Sequence, residues 1–127
     1  MPRKGVVTMG TYCVKHTATG FKFDLKAANG EIVATSEVYT TKAACLKGVQ
    51  SIRAVAATAG CVDMENEAGE KNPKFVIFQD KRGHYRFRLL ARNGKIIARS
   101  EAYMTRYGCE KGIEAVRANA EDANIAE

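Results

Sequence analysis

The stretch Phe21-Lys-Phe-Asp-Leu-Lys-Ala-Ala-Asn-Gly-Glu-Ile-Val-Ala-Thr-Ser-Glu-Val-Tyr39 decides the fold, because it returns later as Tyr85-Arg-Phe-Arg-Leu-Leu-Ala-Arg-Asn-Gly-Lys-Ile-Ile-Ala-Arg-Ser-Glu-Ala-Tyr103. The copies align without a gap, and about 17 of 37 positions are identical between residues 20–56 and 84–120, far more than unrelated segments share. The chain is therefore an internal duplication. We divide it into an N-terminal tail (residues 1–10), repeat 1 (11–64), a linker (65–74) and repeat 2 (75–127).

Each copy contains two alternating apolar and polar segments joined by Asn-Gly. This pattern is typical of a β-hairpin with a two-residue type I′ turn. Such a turn determines the strand register, and the residues that then face each other form one apolar side, which we expect to face the core. The predicted pairs are Ala27–Ile32, Leu25–Ala34, Phe23–Ser36 and Phe21–Val38 in repeat 1, and Ala91–Ile96, Leu89–Ala98, Phe87–Ser100 and Tyr85–Ala102 in repeat 2.

A helix follows the hairpin in each copy. Thr41 and Thr105 can cap it, because a threonine hydroxyl accepts a hydrogen bond from a free backbone N–H of the first turn. A glycine within the helix, Gly48 or Gly112, costs about 1 kcal/mol relative to alanine, so its presence in both copies indicates a helix backbone close to the sheet. Small and apolar residues recur at helical spacing: Cys45, Gly48, Val49, Ile52 and Ala56, repeated as Cys109, Gly112, Ile113, Val116 and Ala120.

Short apolar segments complete each copy. One precedes the hairpin, at residues 12–14 or 75–78, and a candidate last strand follows the helix, at residues 61–64 or 124–126. A unit of about fifty residues buries only a thin core. We therefore predict an α+β fold of two tandem β-β-β-α-β repeats, with antiparallel sheets and one helix each, packed as a pseudo-twofold pair.

Composition favours a soluble basic protein. The 127 residues carry a formal net charge of +6, with no apolar run near the roughly 20 residues that cross a bilayer and no secretory signal, so we expect a cytoplasmic location. The four cysteines lack zinc-ligand spacing and are predicted to be reduced and mostly buried. His16 and His84 have no ligand or triad partner at suitable spacing and are predicted to be exposed turn residues. We expect no metal and no cofactor.

Several strings, doubled and in constant order, resemble the YegP-like family of uncharacterised bacterial proteins. They are Tyr85-Arg-Phe-Arg-Leu89, Asn-Gly-x-Ile-x-Ala, Ser-Glu-x-Tyr-x-Thr and Lys-Gly-Ile/Val-x-x-Val/Ile-Arg. The resemblance covers nearly all of the chain after residue 10. It implies a β-β-β-α-β unit used twice, in tandem or as two subunits, in which the halves can exchange their last strands; it implies no activity. His16-Thr17-Ala18-Thr19 replaces the usual Asp-x-x-Gly turn, so the first hairpin of repeat 1 is expected to be longer or less regular.

The predicted register also defines the opposite, outward side of the sheet. In repeat 2 it pairs Arg86 with Glu101, Arg88 with Arg99, Leu90 with Ile97 and Arg92 with Lys95, whereas the matching positions of repeat 1 are nearly neutral. Arginine opposite arginine is unfavourable unless an anion, an acidic partner or a nearby carboxylate neutralises it. The candidate contact residues for nucleic acid or another anion are Arg86, Arg88, Arg92, Lys95 and Arg99. The other reading is a solvated outer face, which the apparent lack of stacking aromatics favours.

No catalytic motif accompanies these features. Ser36 and Glu37 point to opposite sides of their strand and cannot act together, so the repeated Ser-Glu-x-Tyr string is interpreted as structural; no phosphate-binding or zinc-protease motif occurs. The preferred interpretation is a small non-enzymatic binding protein with an unknown partner, which is a monomer with an internal pseudo-dimer or a weak homodimer. Two alternatives stay open: a binder of nucleic acid or another polyanion, and a small-ligand protein or enzyme with a pocket between the repeats.

Overall fold

The order of strands and helices follows the duplication. The computed structural model describes residues 10–127; the predicted tail, apart from Gly10, lies outside the described residues. Repeat 1 contains β1 (Thr11–His16), β2 (Phe21–Lys26), β3 (Ile32–Thr35), α1 (Lys42–Val55) and β4 (Gly60–Asp63). A 3₁₀ helix (Met64–Gly69) leads to repeat 2, which contains β5 (Lys74–Gln79), β6 (Tyr85–Leu90), β7 (Ile96–Arg99), α2 (Arg106–Asn119) and β8 (Asn124–Ala126).

All eight strands of the described chain form one sheet in the order β4-β5-β6-β7-β3-β2-β1-β8. The α+β class and the repeated unit are confirmed, but the expectation of antiparallel sheets is wrong in two respects. The two hairpins join into one sheet where Thr35 of β3 pairs with Arg99 of β7. The sheet is also mixed, because β4 runs parallel to β5 and β8 runs parallel to β1.

The two parallel pairs mean that each repeat gives its last strand to the other repeat. β4 belongs to repeat 1 but lies beside β5 of repeat 2, and β8 makes the reciprocal exchange with β1. The strand order is consequently symmetric about the β3–β7 contact. This arrangement is one that the family resemblance implied, and it joins the repeats into a single hydrogen-bonded unit.

Each exchanged strand is held at both ends by cationic side chains from the helix of the other repeat. Arg117 of α2 donates a hydrogen bond to the Ala59 carbonyl, just before β4, at 2.7 Å, and Arg106 pairs with Asp63 at the end of β4 at 2.5 Å. At the other edge, α1 does the same for β8: Arg53 donates to the Ala123 carbonyl and Lys42 pairs with Glu127. These four contacts join different repeats.

Both helices follow the predicted pattern. The hydroxyls of Thr41 and Thr105 accept hydrogen bonds from the backbone N–H groups of Ala44 and Gly108, at 3.1 and 3.0 Å. Both predicted apolar stripes are buried, and the helices pack against strands of both repeats. A Cβ atom on Gly48 would overlap the Tyr39 hydroxyl, and Gly112 and Tyr103 repeat this contact. Glycine is therefore required because the helix backbone lies against a tyrosine that follows the hairpin.

The Asn-Gly turn differs from the prediction. Gly30 and Gly94 have φ values of +89° and +86°, and no residue other than glycine has positive φ in residues 10–127, whereas a type I′ turn needs positive φ at both central positions. Ala27 instead donates to the Glu31 carbonyl at 2.9 Å and accepts from Gly30 at 2.9 Å. The loop therefore has three residues, with glycine in the left-handed position that follows a type I turn.

This longer turn shifts the predicted register at the hairpin tip. Leu25 faces Ala34 as predicted, but Ile32 faces Lys26 rather than Ala27, so Val33 is the extra residue of a bulge. The bulge turns Val33 into the core, although the register predicted that it points outward. At the other end, Phe21 pairs with Tyr39, not Val38. Repeat 2 shows the same shifts: Leu90 faces Ile96 instead of Ile97, Ile97 joins the core, and Tyr85 pairs with Tyr103 instead of Ala102.

The first hairpin of repeat 1 is shorter than that of repeat 2, not longer. Residues 17–20 connect β1 to β2, whereas residues 80–84 connect β5 to β6. The Thr17 hydroxyl accepts the Gly20 N–H at 3.0 Å, which closes the shorter loop as Asp80 does in the longer one by accepting the His84 N–H. The role of the aspartate is thus taken by a threonine.

The cysteines and histidines match their predictions in part. All four cysteines are free; Cys45 and Cys109 are buried, Cys13 is half-buried and Cys61 is exposed. The expectation of mostly buried thiols therefore holds for two of them. His16 is an exposed residue that ends β1 and stacks on Phe21, with 4.6 Å between ring centroids, and His84 is half-buried.

The strand-holding contacts predict that Arg117→Met lowers the free energy of unfolding by about 1.5 kcal/mol or more, since a hydrogen bond from a charged donor is lost while the chain length is kept. Urea denaturation measures the change. Lys47→Met, at an exposed position of α1, is the control and should stay within about 0.5 kcal/mol of the wild type. An Arg117→Met protein as stable as the wild type would contradict this role.

Candidate anion-binding face

One side of the sheet carries both helices and the other carries neither. The core unites Phe23 and Leu25 of β2 with Cys45 and Val49 of α1, and repeat 2 packs α2 against the same side. Because side chains alternate along a strand, the intervening residues lie on the opposite side, which we call the outer face. Its strand positions carry more cations than carboxylates: Lys15, Lys22, Lys26, Lys74, Arg86, Arg88 and Arg99 against Asp24.

A row of side chains crosses the centre of the outer face on adjacent strands. It runs from Asp24 on β2 through Thr35 on β3 and Arg99 on β7 to Arg88 on β6 and Val76 on β5. Arg88 therefore faces Arg99 as the sequence predicted. The pseudo-twofold relation matches Asp24 with Arg88 and Thr35 with Arg99, so the two halves of the face differ in charge although they share a backbone.

The two facing arginines are accommodated in different ways. Arg99 binds Glu37 of repeat 1 through two nitrogens, Nε at 2.8 Å and Nη2 at 2.7 Å. Arg88 has no carboxylate partner in residues 10–127; its guanidinium lies 4.4 Å from the centroid of the Phe78 ring, and its buried Nε makes no hydrogen bond. A nearby carboxylate thus offsets one arginine, and an aromatic ring supports the other.

The remaining sequence candidates are less available or lie elsewhere. Arg86 donates from Nε to Asp80 at 2.8 Å, and this bond, with backbone N–H groups of the turn, holds the pKa of the Asp80 carboxyl below its ordinary value despite partial desolvation. Arg92 is the first residue of the three-residue turn and Lys95 is the residue that follows the turn; Ala91, not Arg92, is hydrogen-bonded to Lys95. Arg92 lines a cavity of about 260 Å³ with residues of α1 such as Ser51, so the structure does not gather all five cations on the outer face.

Phe78 is an outer-face residue that sequence reasoning missed. The segment Phe75-Val-Ile-Phe78 is apolar throughout, so its alternation cannot be read without the partner strand. In the sheet, Phe75 and Ile77 join the core, whereas Phe78 faces Arg86 and lies on the outer side. The statement that stacking aromatics are missing from this face is therefore wrong.

Part of the outer face beside β5 is covered. Lys74 points outward, is 6% exposed, and donates to the carbonyls of Glu67 and Glu70 at 2.6 and 2.8 Å. These carbonyls belong to the 3₁₀ helix and the residue that follows it. The segment that connects the repeats therefore closes over this edge of the outer face and leaves the centre open.

Repeat 1 has a neutralised carboxylate where repeat 2 has Arg88. Asp24 is 3% exposed and accepts hydrogen bonds from Lys15 at 2.7 Å and from the Thr35 hydroxyl at 2.6 Å, with Lys22 at 3.4 Å. Burial raises the pKa of the Asp24 carboxyl, but these partners outweigh burial and keep it below the ordinary value. Asp24 is thus a satisfied structural anion.

The repeated serines have a backbone role. The Ser36 hydroxyl accepts the Phe23 N–H at 2.9 Å and donates to the Glu37 carbonyl at 2.7 Å. Ser100 makes the corresponding bonds with Phe87 and Glu101. Where the register shifts, each serine hydroxyl thus takes the place of the backbone carbonyl that would otherwise accept the N–H of the facing phenylalanine. This role agrees with the structural interpretation of the Ser-Glu-x-Tyr string.

The architecture is that of an α+β protein in which two repeats exchange their last strands and pack both α-helices on one side of a single sheet. The chain belongs to the family described as "Domain of unknown function (DUF1508)", whose model matches residues 17–63 and 80–127. The YegP-like resemblance is thereby confirmed.

Its relatives extend over the whole chain or over one repeat. UPF0339 protein plu2779 of Photorhabdus laumondii is 38% identical over 120 residues, which cover 94% of each chain. The solution NMR structure of yegP from E. coli, a protein of unknown function, matches with a TM-score of 0.76 and 31% identity over 95% of this chain and 94% of that chain. A UPF0339 protein of Treponema denticola is 54% identical over 54 residues, 42% of this chain and 93% of its own length.

These relatives are uncharacterised, so the family supplies neither a biochemical function nor an enzymatic activity. Among the described residues, neither helix has the length and apolar character needed to cross a membrane. What the outer face can bind therefore has to be inferred from the charges and contacts of its own side chains.

The lowered pKa of Asp24 predicts a dependence of stability on pH. A carboxyl whose pKa falls on folding stabilises the protein above its unfolded pKa, about 4, and this contribution is lost as pH falls through the folded value. Asp24→Asn should lower stability at pH 7 and flatten its decline below about pH 4. Urea unfolding at several pH values measures this, with the exposed Glu114→Gln as control. Parallel curves for wild type and Asp24→Asn would contradict the assignment.

Proposed function

We propose that the protein is a non-enzymatic binding protein that holds a polyanion, nucleic acid in the first place, on its outer face. The observation that carries the proposal is the open centre of that face. Arg88 and Arg99 stand side by side there, and Arg88 has no carboxylate partner in residues 10–127. A formal net charge of +6 favours approach to a polyanion.

Repeat 1 shows which residues the same backbone positions can carry. Asp24 and Thr35 occupy the positions of Arg88 and Arg99 on the same backbone, so the fold does not require arginine there. Two facing arginines are unfavourable in an isolated sheet, and a protein retains them at low cost when an anion bridges them. The difference between the repeats therefore supports a binding role for repeat 2.

The chemistry of the pair suits a phosphate group. A guanidinium offers a planar set of donors that matches phosphate oxygens. The Phe78 ring beneath Arg88 limits its rotamers, which lowers the entropy lost on binding. Arg99 can reach a neighbouring phosphate while Glu37 orients its guanidinium.

This proposal includes a cytoplasmic location, where nucleic acid is abundant, and a single chain as the binding unit. The outer-face arginines come from one repeat, and the sheet is complete within one chain. Neither a cofactor nor a metal is needed for binding of this kind.

Binding to single- and double-stranded DNA and RNA should therefore depend on salt and on Arg88. The logarithm of affinity should fall linearly with the logarithm of salt concentration, with a slope of about −0.9 for each phosphate neutralised on duplex DNA. Arg88→Asp, which installs the residue of repeat 1, should weaken binding about tenfold and reduce the slope by about one. Fluorescence anisotropy across a salt series measures both effects.

Lys47→Glu is the matched control, because Lys47 is exposed on α1 on the helix side and the charge change is the same. It should reduce affinity much less than Arg88→Asp. Affinity that is indifferent to salt, or equal losses in the two variants, would refute binding through the outer face. Circular dichroism verifies that each variant keeps its fold.

A further inference from the structure

A cavity of about 530 Å³ lies between the repeats, on another part of the molecule. One wall is the start of β3 in repeat 1, with Glu31 and Val33; the other is the segment after β7, with Glu101 and Tyr103. The floor is α2 of repeat 2. A cavity of a few hundred Å³ has the size of a small-molecule site, and neither the fold nor the outer face accounts for this one.

The floor of the cavity consists of small residues. Gly108, Gly112 and Ala115 line it, one turn apart along α2. The Tyr103 ring lies 3.5 Å from a Cβ built on Gly108, and its hydroxyl lies against Gly112. A flat floor beside a phenol ring offers apolar contact together with one polar atom.

The polar groups at the rim are mainly acidic, although the protein as a whole is basic. Neither Glu31 nor Glu101 belongs to an ion pair within residues 10–127. The one lysine of the lining, Lys111, lies 3.7 Å from Glu114 and 5.4 Å from the Tyr107 ring centroid. Burial chiefly raises the pKa of Tyr103, followed by the charges of Cys109, Glu101 and Glu31, which agrees with both carboxylates lying near the phenol.

The matching groove of repeat 1 lacks this acidic character. Lys95 takes the place of Glu31 there, and Glu37, the counterpart of Glu101, is bound by Arg99. The pseudo-twofold counterpart of Arg99 is Thr35, which bonds Asp24 instead. Within residues 10–127, Glu101 therefore has no arginine partner, and the acidic rim is a property of one side of the molecule that the fold does not require.

We infer that this cavity is a binding site for a small organic cation, a ligand with an ammonium or guanidinium group on a short apolar body. The carboxylates of Glu31 and Glu101 would accept charge-assisted hydrogen bonds from the cationic group, and the Tyr103 ring adds a cation–π contact. The apolar body would rest on Val33 and the small residues of α2. The site is independent of the outer face and takes a ligand of opposite charge.

The test is a ¹H–¹⁵N NMR titration of the full chain with 1,6-diaminohexane, using 1,6-hexanediol as a neutral probe of the same length. The diamine should shift amide signals of residues 30–33, 101–103 and 108–115 in a saturable way, and the diol should shift them weakly or not at all. Because the probe is a small molecule added to intact protein, the result does not depend on whether nucleic acid binds.

Glu31→Lys should weaken diamine binding about fivefold or more, and the fold accepts lysine there because Lys95 occupies the matching position. Glu121→Lys makes the same charge change at an exposed site just after α2, outside the cavity lining, and should alter affinity less than about twofold. Equal shifts with the diol, shifts confined to other residues, or equal losses in the two variants would overturn the inference.

Discussion

The structure depends on the exchange of last strands between the repeats. A single repeat provides three antiparallel strands and one helix, whose apolar sides are too small to enclose a core. When β4 pairs with β5 and β8 with β1, each helix covers strands of both halves and one core forms. Arg117 and Arg53 then bond the carbonyls that precede the exchanged strands, so the charged contacts join the same elements as the backbone hydrogen bonds.

Comparison of the two repeats distinguishes residues that the fold requires from residues that can vary on the same backbone. Several positions that are identical in both repeats have structural roles: Thr41 and Thr105 cap helices, Ser36 and Ser100 bond displaced backbone groups, and Gly48 and Gly112 make room for a tyrosine. Positions that differ on the same backbone are free to serve binding. Arg88 against Asp24 distinguishes the outer face, and Glu31 against Lys95 distinguishes the cavity. One chain thus presents a basic surface and an acidic cavity at separate places.

Much of this was predictable where the deciding interactions are local. Helix caps, apolar stripes and the Leu25–Ala34 pair follow from residues close together in the chain. The turn was mispredicted because Asn-Gly is compatible with a two-residue loop and with a three-residue loop, and the backbone adopts the form with only glycine in the left-handed region. Phe78 was missed as an outer-face residue because a continuous apolar segment shows no alternation. Of the five candidate cations, the register located Arg88 and Arg99 correctly, whereas Arg92 depended on the misassigned turn.

The duplication, the α+β class, the two capped helices and the apolar side of each hairpin can be read from the amino-acid sequence, since these follow from periodicity and short-range chemistry. The three-dimensional structure was needed to establish that the hairpins join through Thr35 and Arg99 and that the last strands are exchanged in parallel. It also shows that Glu37 binds Arg99, whereas Glu101 has no such partner among the described residues. Most of the contacts behind these features join residues that are distant in the chain: Thr35 and Arg99 are 64 positions apart, and Thr11 and Asn124 are 113 positions apart. Backbone hydrogen bonding at a strand edge is nearly independent of side chains, so no local pattern encodes which edge pairs with which.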